Sequence, residues 1–594
     1  MTSRSHIVLG IGGLLGHDAN AALLVDGRVV RASQEERHSR IKHDGAFPRL
    51  AIQDCLGAAH LTAADVTDVV FAEKPLQSHL FNLSSRPGNA FTRALGSFLP
   101  ERWPGLYTQP ARALLPNARF HFAWHHLTHV AGAFHTSPFD RAAFLCVDGK
   151  GEDYSASMGI IDHGDLRILH EQSYENGLGM LYTLVTHYLG FLSFGSEYKV
   201  MGLAPYGRPT FVDKLSRLFS TDTRGGLRLH APVRFQWDSM MNALPLVAEA
   251  TGVPVRNPKD SLTESHIDIA HSLQHIFENE VFKMARFARA ETSESNLLFC
   301  GGCAQNCVTA GKLRAARIFS GIFNSPVGGD MASGLGAALL HERTRSRGRT
   351  LKIDPRGFYL GGDPGPAPAP AAPWRVPIEG DLFDFVAARL AEGKIVAWVR
   401  GGMELGARAL GARSILADAR QPGMQSRLNL AVKFRESFRP FAPLVLAEDC
   451  STWFDTDEPS DFMQYTANLT PSRRAPQPET FASLRERLDF PRSEIGSVIH
   501  VDYSARLQTI RREVHPDMHR LLTAFKRLTG VPILINTSYN VSGQPIVHTA
   551  AEAWECFLNT DIDLLVLNDE VYRNPFQKTR EEKLSWLQQF AKSA

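Results

Sequence analysis

Residues 6–34, HIVLGIGGLLGHDANAALLVDGRVVRASQ, carry the pattern that decides the fold of this chain. Three short apolar runs are separated by a polar loop through His17 and Asp18 and by the tight pair Asp26-Gly27. Asp-Gly between apolar runs is a strong signal for a β-hairpin. The segment therefore predicts three short strands, the last two joined by a tight turn.

The same pattern recurs at residues 142–170. There AAFLCVDG is followed by a loop through Lys150, by YSASMGIID, and by a turn at Gly164-Asp165 that leads into LRILHEQ. Two lobes that begin with such hairpins indicate an internal duplication. Strands that end in glycines before helices follow at 296–313 and 323–344, an arrangement in which α/β folds bind nucleotides.

Length, charge and cysteine content limit the classes of protein to which this chain can belong. The chain has 594 residues, of which 44% are hydrophobic, and 64 lysines and arginines against 62 acidic residues give a net charge of +2. At roughly 100–200 residues per domain this length predicts three or four structural units. So small a net charge provides no field to recruit nucleic acid or acidic lipid. Seven cysteines without the spacing of a disulfide scaffold indicate a reducing, cytoplasmic location.

Other localisation signals are weak. VLGIGGLLG followed by ANA imitates a signal peptide, but its glycines make a poor apolar helix and Asp18 would fall in the cleavage region. No run approaches the roughly 18–20 apolar residues of a membrane span. Cys300, Cys303 and Cys307 have the spacing C-x2-C-x3-C, which leaves a zinc or iron–sulfur role as an alternative, although no second cysteine or histidine pair accompanies them.

The second half of the chain begins after a change of composition. Residues 361–380, GGDPGPAPAPAAPWRVPIEG, predict an extended spacer and a domain boundary. Beyond it, DLFDFVAARLAEGKIVAWV predicts a helix and a buried strand, and VPILINTSYN predicts a strand that runs into a polar loop. Residues from about 375 onward are therefore expected to form a second α/β domain.

A basic block at Arg400–Pro443 predicts an anion pocket in that domain. Small and apolar neighbours surround its arginines, so the guanidinium groups can sit close to a ligand rather than in bulk water. Arginine matches the paired oxygens of phosphate or carboxylate, and a small phosphorylated molecule is the expected ligand. A solvated or nucleic-acid-binding helix is the alternative, which the balanced net charge disfavours. The basic residues of this block are Arg408, Arg413, Arg420, Lys433, Arg435 and Arg439.

A metal site is predicted in the first half. His125 and His129 lie four residues apart, so on a helix both imidazoles project from one face. With Asp330 of the loop Val327–Asp330 they make a two-histidine, one-carboxylate set that suits iron(II) or another divalent metal. A purely structural pair is the alternative, since His271 and His275 share the spacing.

Two further motifs suit small polar ligands. GGCAQNC, Gly301 to Cys307, has glycines that permit close backbone approach, and Asn306 can hydrogen-bond a ribose or base. NTSYN, Asn536 to Asn540, offers amides and hydroxyls suited to a carbamoyl group, with a well-capped turn as the alternative.

The order of these motifs resembles that of the NodU/CmcH carbamoyltransferases. The resemblance covers nearly the whole chain except roughly 208–265, the spacer and the last twenty or so residues. The matching motifs are HD, EER-x2-R-x-K at Glu35 to Lys42, HH-x2-H, VDG-x-GE, SEYKVMGLAPYG, GG-x-A-x-NC, GD-x-A-x-G-x-GAA, GARALGARSILAD, K-x-RESFRPFAP, ARLQT and NTS-x-N-x3-G-x-PIV.

The resemblance implies an α/β protein of two domains. The first, over residues 1–362, is a Kae1-like domain of the actin-like ATPase fold with duplicated RNase H-like lobes. A proline- and alanine-rich linker over 363–376 leads to a YrdC-like α/β domain over 377–594.

The resemblance also implies an ATP-dependent O-carbamoyltransferase. In this family the YrdC-like domain makes carbamoyl-adenylate from carbamoyl phosphate and ATP, and the Kae1-like domain passes the carbamoyl group to a hydroxyl of a natural product, as in antibiotic biosynthesis. The implied cofactors are Fe(II) or a similar divalent metal and ATP with Mg2+, with carbamoyl phosphate as co-substrate. The implied partner is a small-molecule acceptor, with no nucleic acid and no membrane, and a homodimer is a candidate assembly.

Residue roles carry over motif by motif. His125, His129 and Asp330 would hold the iron, and Asp148 would lie beside nucleotide and metal. His17 would be the general base on the acceptor hydroxyl, a contribution of roughly 10²–10⁴ in rate. Lys42 is the second expected catalytic residue. The expected cofactor-binding residues are Asp148, Lys199, Gly301, Gly302, Asn306, Arg408, Arg413, Lys433, Arg439, Arg506, Asn536, Ser538 and Asn540.

The chain departs from the family pattern at a few positions. Ala407 stands where the family usually has a proline, and Gln544 stands where it has an acidic residue. Gly402 replaces an arginine, although Arg400 lies two residues earlier in this chain. Tyr503, in the loop beside Arg506, replaces a glycine. None removes a core catalytic group. Acceptor specificity is expected in residues 208–265 and in loops near 75–115, and aminoglycoside, β-lactam, macrolactam, sugar and peptide acceptors all remain open.

Two rival functions are disfavoured by the residues. Transfer of a carbamoyl or threonylcarbamoyl group to tRNA calls for a basic surface, which a net charge of +2 disfavours. Protein carbamoylation in hydrogenase maturation calls for zinc-binding CxxC pairs, whereas Cys300 and Cys303 have no second pair beside them. An actin-like nucleotide-binding scaffold has no need of His17 beside a metal set.

Overall fold

The computed structural model describes residues 5–13, 16–74, 105–174, 177–230, 237–345, 351–354, 358–478, 481, 483–576 and 578–590. The chain divides into two compact units. The first unit takes Met1–Glu35 and His43–Asp354, and the second takes Glu36–Lys42 and Pro355–Ala594. Both units combine helices with sheets, so the chain is a mixed α/β protein. Most of the predicted acceptor loops near 75–115 lie outside the described residues.

The first unit contains two five-stranded sheets of the same topology. Their orders are β3-β2-β1-β4-β5 and β8-β7-β6-β11-β12, each with three antiparallel strands followed by two parallel ones. This repeat confirms the duplication that the two hairpin segments predicted. The strands are β1 (Ile7–Gly12), β2 (Asn20–Val25), β3 (Arg28–Gln34), β4 (Asp68–Phe71), β5 (Arg119–Phe122), β6 (Arg141–Val147), β7 (Tyr154–Asp162), β8 (Asp165–Ser173), a separate pair β9 (Phe219–Thr221) and β10 (Leu227–Leu229), β11 (Asn296–Cys300) and β12 (Gly321–Asn324).

Two-residue turns close both hairpins. Asp26 and Gly27 have φ values of 49° and 78°, and His163 and Gly164 have φ values of 45° and 90°. Positive φ at both positions gives the turn the twist of the flanking strands. The second turn lies one residue earlier than the predicted Gly164-Asp165, because Asp165 already pairs with Asp162 in the ladder.

The helices of the first unit cover both sheets. Their bounds are α1 (Glu35–Ser39, which continues into the second unit), α2 (Arg49–Ala58), α3 (Gly105–Leu114), α4 (His125–Thr136), α5 (Leu178–Tyr188), α6 (Glu197–Leu203), α7 (Val212–Leu215), α8 (Trp237–Thr251), α9 (Glu264–Thr292), α10 (Cys307–Ala315) and α11 (Ser333–Arg345).

Close packing of α11 positions the first unit's site. A Cβ at Gly336 would lie 2.0 Å from the carbonyl oxygen of Thr128 in α4, and a Cβ at Gly10 in β1 would lie 1.8 Å from the carbonyl oxygen of Gly334. Only glycine permits this approach. The start of α11, just after Asp330, is thereby held beside the first turn of α4.

The second unit is built on an eight-stranded sheet of order β13-β22-β21-β14-β15-β20-β16-β19, with β17 and β18 as a separate pair. Its strands are β13 (Arg375–Val376), β14 (Val396–Val399), β15 (Arg413–Asp418), β16 (Ala442–Leu446), β17 (Thr466–Asn468), β18 (Ser504–Arg506), β19 (Gln508–Ile510), β20 (Ile533–Ser538), β21 (Leu564–Leu567) and β22 (Glu570–Arg573).

Helices pack on both faces of this sheet. Val396 and Trp398 of β14 face one apolar cluster with the helices Leu382–Ala391 and Pro516–Thr529. Ala397 and Val399 face another with the helix Ala550–Leu558. This alternation follows the two-residue period of a strand. The helices are α12 (Leu382–Ala391), α13 (Met424–Arg427), a π-helix (Leu428–Lys433), α14 (Cys450–Trp453), α15 (Leu484–Asp489), α16 (Pro516–Thr529), α17 (Ala550–Leu558) and α18 (Arg580–Leu587). No helix among the described residues of either unit combines the length and hydropathy that a membrane crossing requires.

The proline- and alanine-rich segment is not an extended spacer in this structure. Residues Ala369–Trp374 form a 3-10 helix, and Arg375 and Val376 pair with β22 at the sheet edge. Ala371 is fully buried in the second unit's core. Packing of small apolar side chains outweighs the composition, which by itself indicates only a stiff extended chain.

Candidate functional site

Four side chains of the first unit converge in what we call the histidine–aspartate cluster: His125, His129, Asp148 and Asp330. The Nε2 atoms of the two histidines lie 3.0 Å apart. Asp330 Oδ1 lies 3.0 Å from His125 Nε2 and 3.2 Å from His129 Nε2. Asp148 Oδ2 lies 2.9 Å from His129 Nε2 and 3.7 Å from His125 Nε2. The structure thus brings the three predicted metal ligands together and adds a carboxylate oxygen of Asp148 as a fourth donor atom.

Local structure explains how each member is placed. His125 is the first residue of α4, and its N–H donates to Glu152 Oε1 at 3.0 Å, so a buried carboxylate satisfies this helix terminus. Asp148 directly follows β6, and a Cβ at Gly302 would lie 2.8 Å from its Oδ1. The main-chain oxygen of Asp330 accepts from Asn20 Nδ2 at 2.8 Å.

The cluster fits a divalent metal ion. Ligand atoms bound at about 2.1 Å to one ion lie about 3.0–3.4 Å from one another in octahedral or tetrahedral geometry. The separations in the cluster, 2.9–3.7 Å, fall around this range. Two imidazoles with carboxylate oxygens are a donor set typical of iron(II) and related ions.

The histidines and aspartates of the cluster stabilise one another's charged forms. Burial lowers the pKa of His129, but its contacts with Asp148 and Asp330 more than offset this and raise its pKa to about 9. Burial likewise disfavours the charged carboxylate of Asp330, yet the two histidines hold its pKa well below the usual value. The carboxylates are therefore ionised and available to a cation. His126, on the other side of α4, bonds Ser157 Oγ at 2.8 Å, and burial lowers its pKa to about 3.

His17 lies beside this cluster with its own carboxylate partner. Its Nδ1 lies 3.2 Å from Asp18 Oδ2 and 3.8 Å from Asp330 Oδ2. Burial lowers its pKa, but the hydrogen bond with Asp18 and the charge of Asp330 raise the net value. A proton on Nδ1 shared with Asp18 leaves Nε2 as the proton acceptor, the arrangement of an oriented general base.

Sequence reasoning missed two neighbours of His17. His43 Nδ1 lies 2.8 Å from Asp18 Oδ1, so one carboxylate holds both imidazoles. The ring of Phe194, 42% exposed, lies 4.5 Å from the ring of His17 and 5.3 Å from that of His43. An exposed aromatic ring beside an imidazole can pack against a bound molecule. Phe194 stands two residues before the SEYKVMG motif, a position that by itself did not place it beside His17.

Two buried glutamates were also missed. Glu73 follows β4 and accepts from the N–H of Gly13 at 3.1 Å, and burial raises its pKa to about 7. Burial also raises the pKa of Glu152. Glu73 comes two residues after β4, and Glu152 lies in the loop between β6 and β7. This position near strand ends was the available signal, since polar groups there commonly line the sites of α/β folds.

Other predicted nucleotide residues of the first unit have structural partners. Asn306 caps α10, accepting from the N–H of Thr309 at 3.0 Å, and its Nδ2 donates to Gln274. Gly301 has a φ of +89°, and a Cβ there would lie 2.3 Å from the carbonyl oxygen of Val147. The ammonium of Lys199 lies 5.6 Å from the ring centre of Phe191. The cysteines of the C-x2-C-x3-C motif are free thiols, outside the metal-binding groups found among the described residues.

In the second unit, strand direction gathers the predicted residues at one sheet edge. Strands β15, β16 and β19 begin where the antiparallel strand β20 ends. The basic block and the NTSYN motif therefore meet at this edge, which we call the basic edge. It comprises Arg408 in the loop before β15, Lys433, Arg435 and Arg439 before β16, Arg506 before β19, and Ser538 and Asn540 at the end of β20.

Lys433 is the best-defined member of the basic edge. Its ammonium donates to Ser538 Oγ at 3.2 Å, to the carbonyl oxygen of Asn540 at 2.9 Å and to Asn540 Oδ1 at 2.7 Å. Burial, and then the positive charges of Arg435, Arg439 and Lys42, hold its pKa well below the usual value. A buried ammonium group close to other positive charges favours the binding of an anion. Lys433 is also the last residue of the π-helix, an element frequent at functional sites.

Arg413, by contrast, is fully buried and engaged with main-chain carbonyls. Its Nε donates to His548 at 3.0 Å, one Nη to Gly401 and Ala412, and the other to Gly362 at 2.9 Å. Burial lowers its pKa to about 10. This guanidinium holds loops together, a different role from the anion contact expected for it.

The amides of the basic edge form a hydrogen-bonded set. Ser538 Oγ donates to Asn540 Oδ1 at 2.7 Å, and Asn540 Nδ2 donates to the carbonyl oxygen of Gln544 at 2.6 Å. Asn536 Nδ2 donates to Gln508 Oε1 at 2.7 Å, while its buried Oδ1 accepts no hydrogen bond from the described residues. A buried amide oxygen of this kind suits an amino group of a ligand.

The departures from the family pattern have local explanations. A Cβ at Gly402 would lie 2.7 Å from the carbonyl oxygen of Tyr359, so no side chain fits there. Arg400 pairs with Asp517 and Asp569 at 3.1 and 2.7 Å, which engages the guanidinium two residues earlier. Tyr503 has a φ of +63°, the conformation for which glycine is favoured.

The remaining departures are compatible with an intact edge. The Tyr503 hydroxyl donates to the carbonyl oxygen of Ala475. Ala407 is exposed. The buried Gln544 accepts from the N–H of Val541 through its Oε1, as an acidic residue would.

A buried histidine makes the second unit sensitive to acid. Burial, and then the charges of His38, Arg413, Arg37 and Arg40, lower the pKa of His548 from 6.5 to about 3. Between these values the unfolded chain binds a proton that the folded chain does not, so stability falls as pH falls below 6.5. From about pH 7 to about pH 5 this group should remove about 2 kcal/mol of unfolding free energy.

Urea unfolding of the full chain, followed by tryptophan fluorescence at both pH values, checks this. His548→Gln should reduce the loss of stability by that amount, whereas His163→Gln, at an exposed turn, should behave as wild type. An unchanged pH dependence in His548→Gln would show that the folded protein protonates this ring.

Comparisons with known proteins agree with this layout. Residues 7–339 match the family model described as Carbamoyltransferase N-terminus, and residues 387–574 match Carbamoyltransferase C-terminus. An uncharacterized protein of Synechocystis sp. is 38% identical, covering 98% of this chain and 99% of its own length.

Named relatives are similar over most of their length. The nodulation protein NolNO of Sinorhizobium fredii is 34% identical over 93% of this chain and 78% of its own. The 3'-hydroxymethylcephem-O-carbamoyltransferase of Streptomyces clavuligerus is 28% identical over 94% of this chain and 98% of its own. This chain therefore belongs to the NodU/CmcH family of carbamoyltransferases.

Proposed function

We propose that this protein is an ATP-dependent O-carbamoyltransferase. Its second unit, which we assign as YrdC-like, would make carbamoyl-adenylate from carbamoyl phosphate and ATP with Mg2+. Its first unit, assigned as Kae1-like, would transfer the carbamoyl group to a hydroxyl of a small-molecule natural product. The observation that carries the proposal is the basic edge, where mutually repelling cations meet an amide set at one end of a sheet.

The donor reaction suits the groups at the basic edge. Arg439, with its side chain 18% exposed, and Lys42 supply positive charge for carbamoyl phosphate and the nucleotide phosphates. Lys433 orients Ser538 and Asn540, whose amide and hydroxyl groups match a carbamoyl group. Water first cleaves carbamoyl phosphate to carbamate and inorganic phosphate. A carbamate oxygen then attacks the α-phosphorus of ATP and pyrophosphate leaves, while these cations stabilise the charge that develops.

The transfer reaction suits His17. With its Nδ1 bonded to Asp18, Nε2 can take the proton of the acceptor hydroxyl while that oxygen attacks the carbamoyl carbon and AMP leaves. The histidine–aspartate cluster would hold a divalent metal ion, which supplies Lewis-acid polarisation. Phe194 offers an exposed ring against which the acceptor can pack beside His17.

The class of acceptor is proposed from the relatives. The Streptomyces clavuligerus relative is named for O-carbamoylation of a hydroxymethyl group on a cephem, and others are named nodulation proteins. Both support a hydroxylated secondary metabolite. The cysteines are free thiols, which supports a cytoplasmic location.

The test is pyrophosphate release from ATP with carbamoyl phosphate and no acceptor, with the adenylate trapped by mass spectrometry. Wild type should form carbamoyl-adenylate, and Arg439→Ala should lose about 10²–10³-fold in rate, because one charge-stabilising group is removed. Arg520→Ala is the matched control, since this exposed arginine of α16 pairs with Asp381. No pyrophosphate from metal-replete wild type would overturn the donor half of the proposal.

A further inference from the structure

A second cluster of histidines and carboxylates lies elsewhere in the first unit. His6 Nε2 is 2.8 Å from Asp68 Oδ2, and His341 Nε2 is 3.8 Å from Asp68 Oδ1. One ligand atom from each of these three residues lies within 4.8 Å of the others. Asp68 is completely buried, while both histidines are partly accessible to solvent. The set has the two-imidazole, one-carboxylate composition of a transition-metal site with open positions.

This cluster is separate from the histidine–aspartate cluster. His6 immediately precedes β1 and Asp68 begins β4, whereas Gly13 and Glu73, near His125, follow the ends of the same two parallel strands. His341 lies eight residues beyond Ser333 along α11, a rise of about 12 Å. The two clusters therefore lie at opposite ends of the first sheet.

Further nitrogen and oxygen donors surround the cluster. His121 Nε2 lies 2.8 Å from Asp68 Oδ1, and the ring of His121 is 4.3 Å from that of His341. Glu342 Oε2 lies 3.2 Å from His6 Nδ1, a buried nitrogen that makes no hydrogen bond within the described residues.

More imidazole groups surround Asp68 than are needed to satisfy one buried carboxylate with hydrogen bonds. Asp68 already accepts from His6, His121 and Arg119, so His341 is not required for its solvation. Arg119 is 71% exposed and free to move aside for a competing cation. Three imidazoles around one carboxylate are better explained by a shared cation than by hydrogen bonding alone.

We propose that His6, Asp68 and His341 bind a divalent transition-metal ion of the zinc class, with His121 and Glu342 as additional donors. The ion would tie the starts of β1 and β4 to the end of α11. It would stabilise the first unit and take no part in carbamoyl transfer, so the proposal does not depend on the proposed function.

Zinc titration of the metal-free full chain, in competition with a chromogenic chelator, tests the proposal. Wild type should bind about two zinc ions per chain, and the His6→Gln/His341→Gln variant about one, since ligand loss removes a whole site. The His125→Gln/His129→Gln variant should keep the zinc ion that the first variant loses. His163→Gln, which changes an exposed histidine, should bind as wild type.

Melting temperature supplies a second readout. Zinc should raise that of the His125→Gln/His129→Gln variant but not that of the variant lacking both pairs. His341→Asn alone, which leaves β1 intact, should weaken the site at least about tenfold if the double variant fails to fold. Wild type that binds only the zinc ion lost with His125 and His129, or an unchanged His341→Asn, would overturn the proposal.

Discussion

Replacing His129 with glutamine should abolish carbamoyl transfer while leaving carbamoyl-adenylate formation intact. His129 Nε2 lies within 3.2 Å of Asp148, Asp330 and His125, so it occupies the middle of the cluster. Glutamine retains much of the bulk but has no imidazole nitrogen to bind a metal ion. We expect transfer to fall by about 10³-fold or more, since the loss of one electrostatic group in an active site already costs about 10²–10³.

Metal content separates this effect from a general loss of structure. His129→Gln should copurify with far less metal, whereas His126→Gln should retain it, because His126 is equally buried on the same helix but bonds Ser157. Transfer, pyrophosphate release and metal analysis would be measured on one preparation. Normal transfer by His129→Gln with an empty cluster would exclude a catalytic role for the site.

Replacing Arg413 with lysine should prevent stable folding of the second unit. The guanidinium is fully buried, and its fork reaches the carbonyl oxygens of His548, Gly401, Ala412 and Gly362 from the start of β15. Lysine keeps the charge, but its ammonium group cannot donate to all four carbonyl oxygens at once. A buried charge left with incomplete partners costs about 3–5 kcal/mol, a large share of the roughly 5–15 kcal/mol that stabilises a domain.

Thermal unfolding and soluble yield check this result. Arg420→Lys is the matched control, because Arg420 pairs with Asp418 at the other end of the same strand and is partly exposed, so it should lose less than about 1 kcal/mol. A stable Arg413→Lys protein that lacks only pyrophosphate release would show that Arg413 binds the anion, as the sequence predicted.

Much of the fold could be predicted because it follows from local periodicity. The hairpins at Asp26-Gly27 and near Gly164 predicted two similar sheets, and the two sheets of the first unit have the same strand order. The proline- and alanine-rich segment showed the limit of composition. It predicted an extended spacer, but Ala371 is buried in the core and Arg375 and Val376 join the sheet.

For the candidate site, residue types were easier to predict than their roles. Arg413 and Arg439 look alike in sequence, yet one guanidinium is saturated by carbonyls and the other lies at the basic edge. Asn306 was predicted to bind a nucleotide but caps a helix, a role that an asparagine directly before a helix could have indicated. His43 and Phe194 carried no motif signal strong enough to place them beside His17.

The sequence by itself determined what short-range geometry controls. A four-residue spacing puts His125 and His129 on one face of a helix, and Asp-Gly at positive φ closes a hairpin. Only the tertiary structure decided which distant groups meet. Asp148 and Asp330 reach the histidines because α11 approaches α4 and β1 through glycines, and burial then sets which charges persist. Such contacts depend on packing across hundreds of residues, which no local pattern encodes.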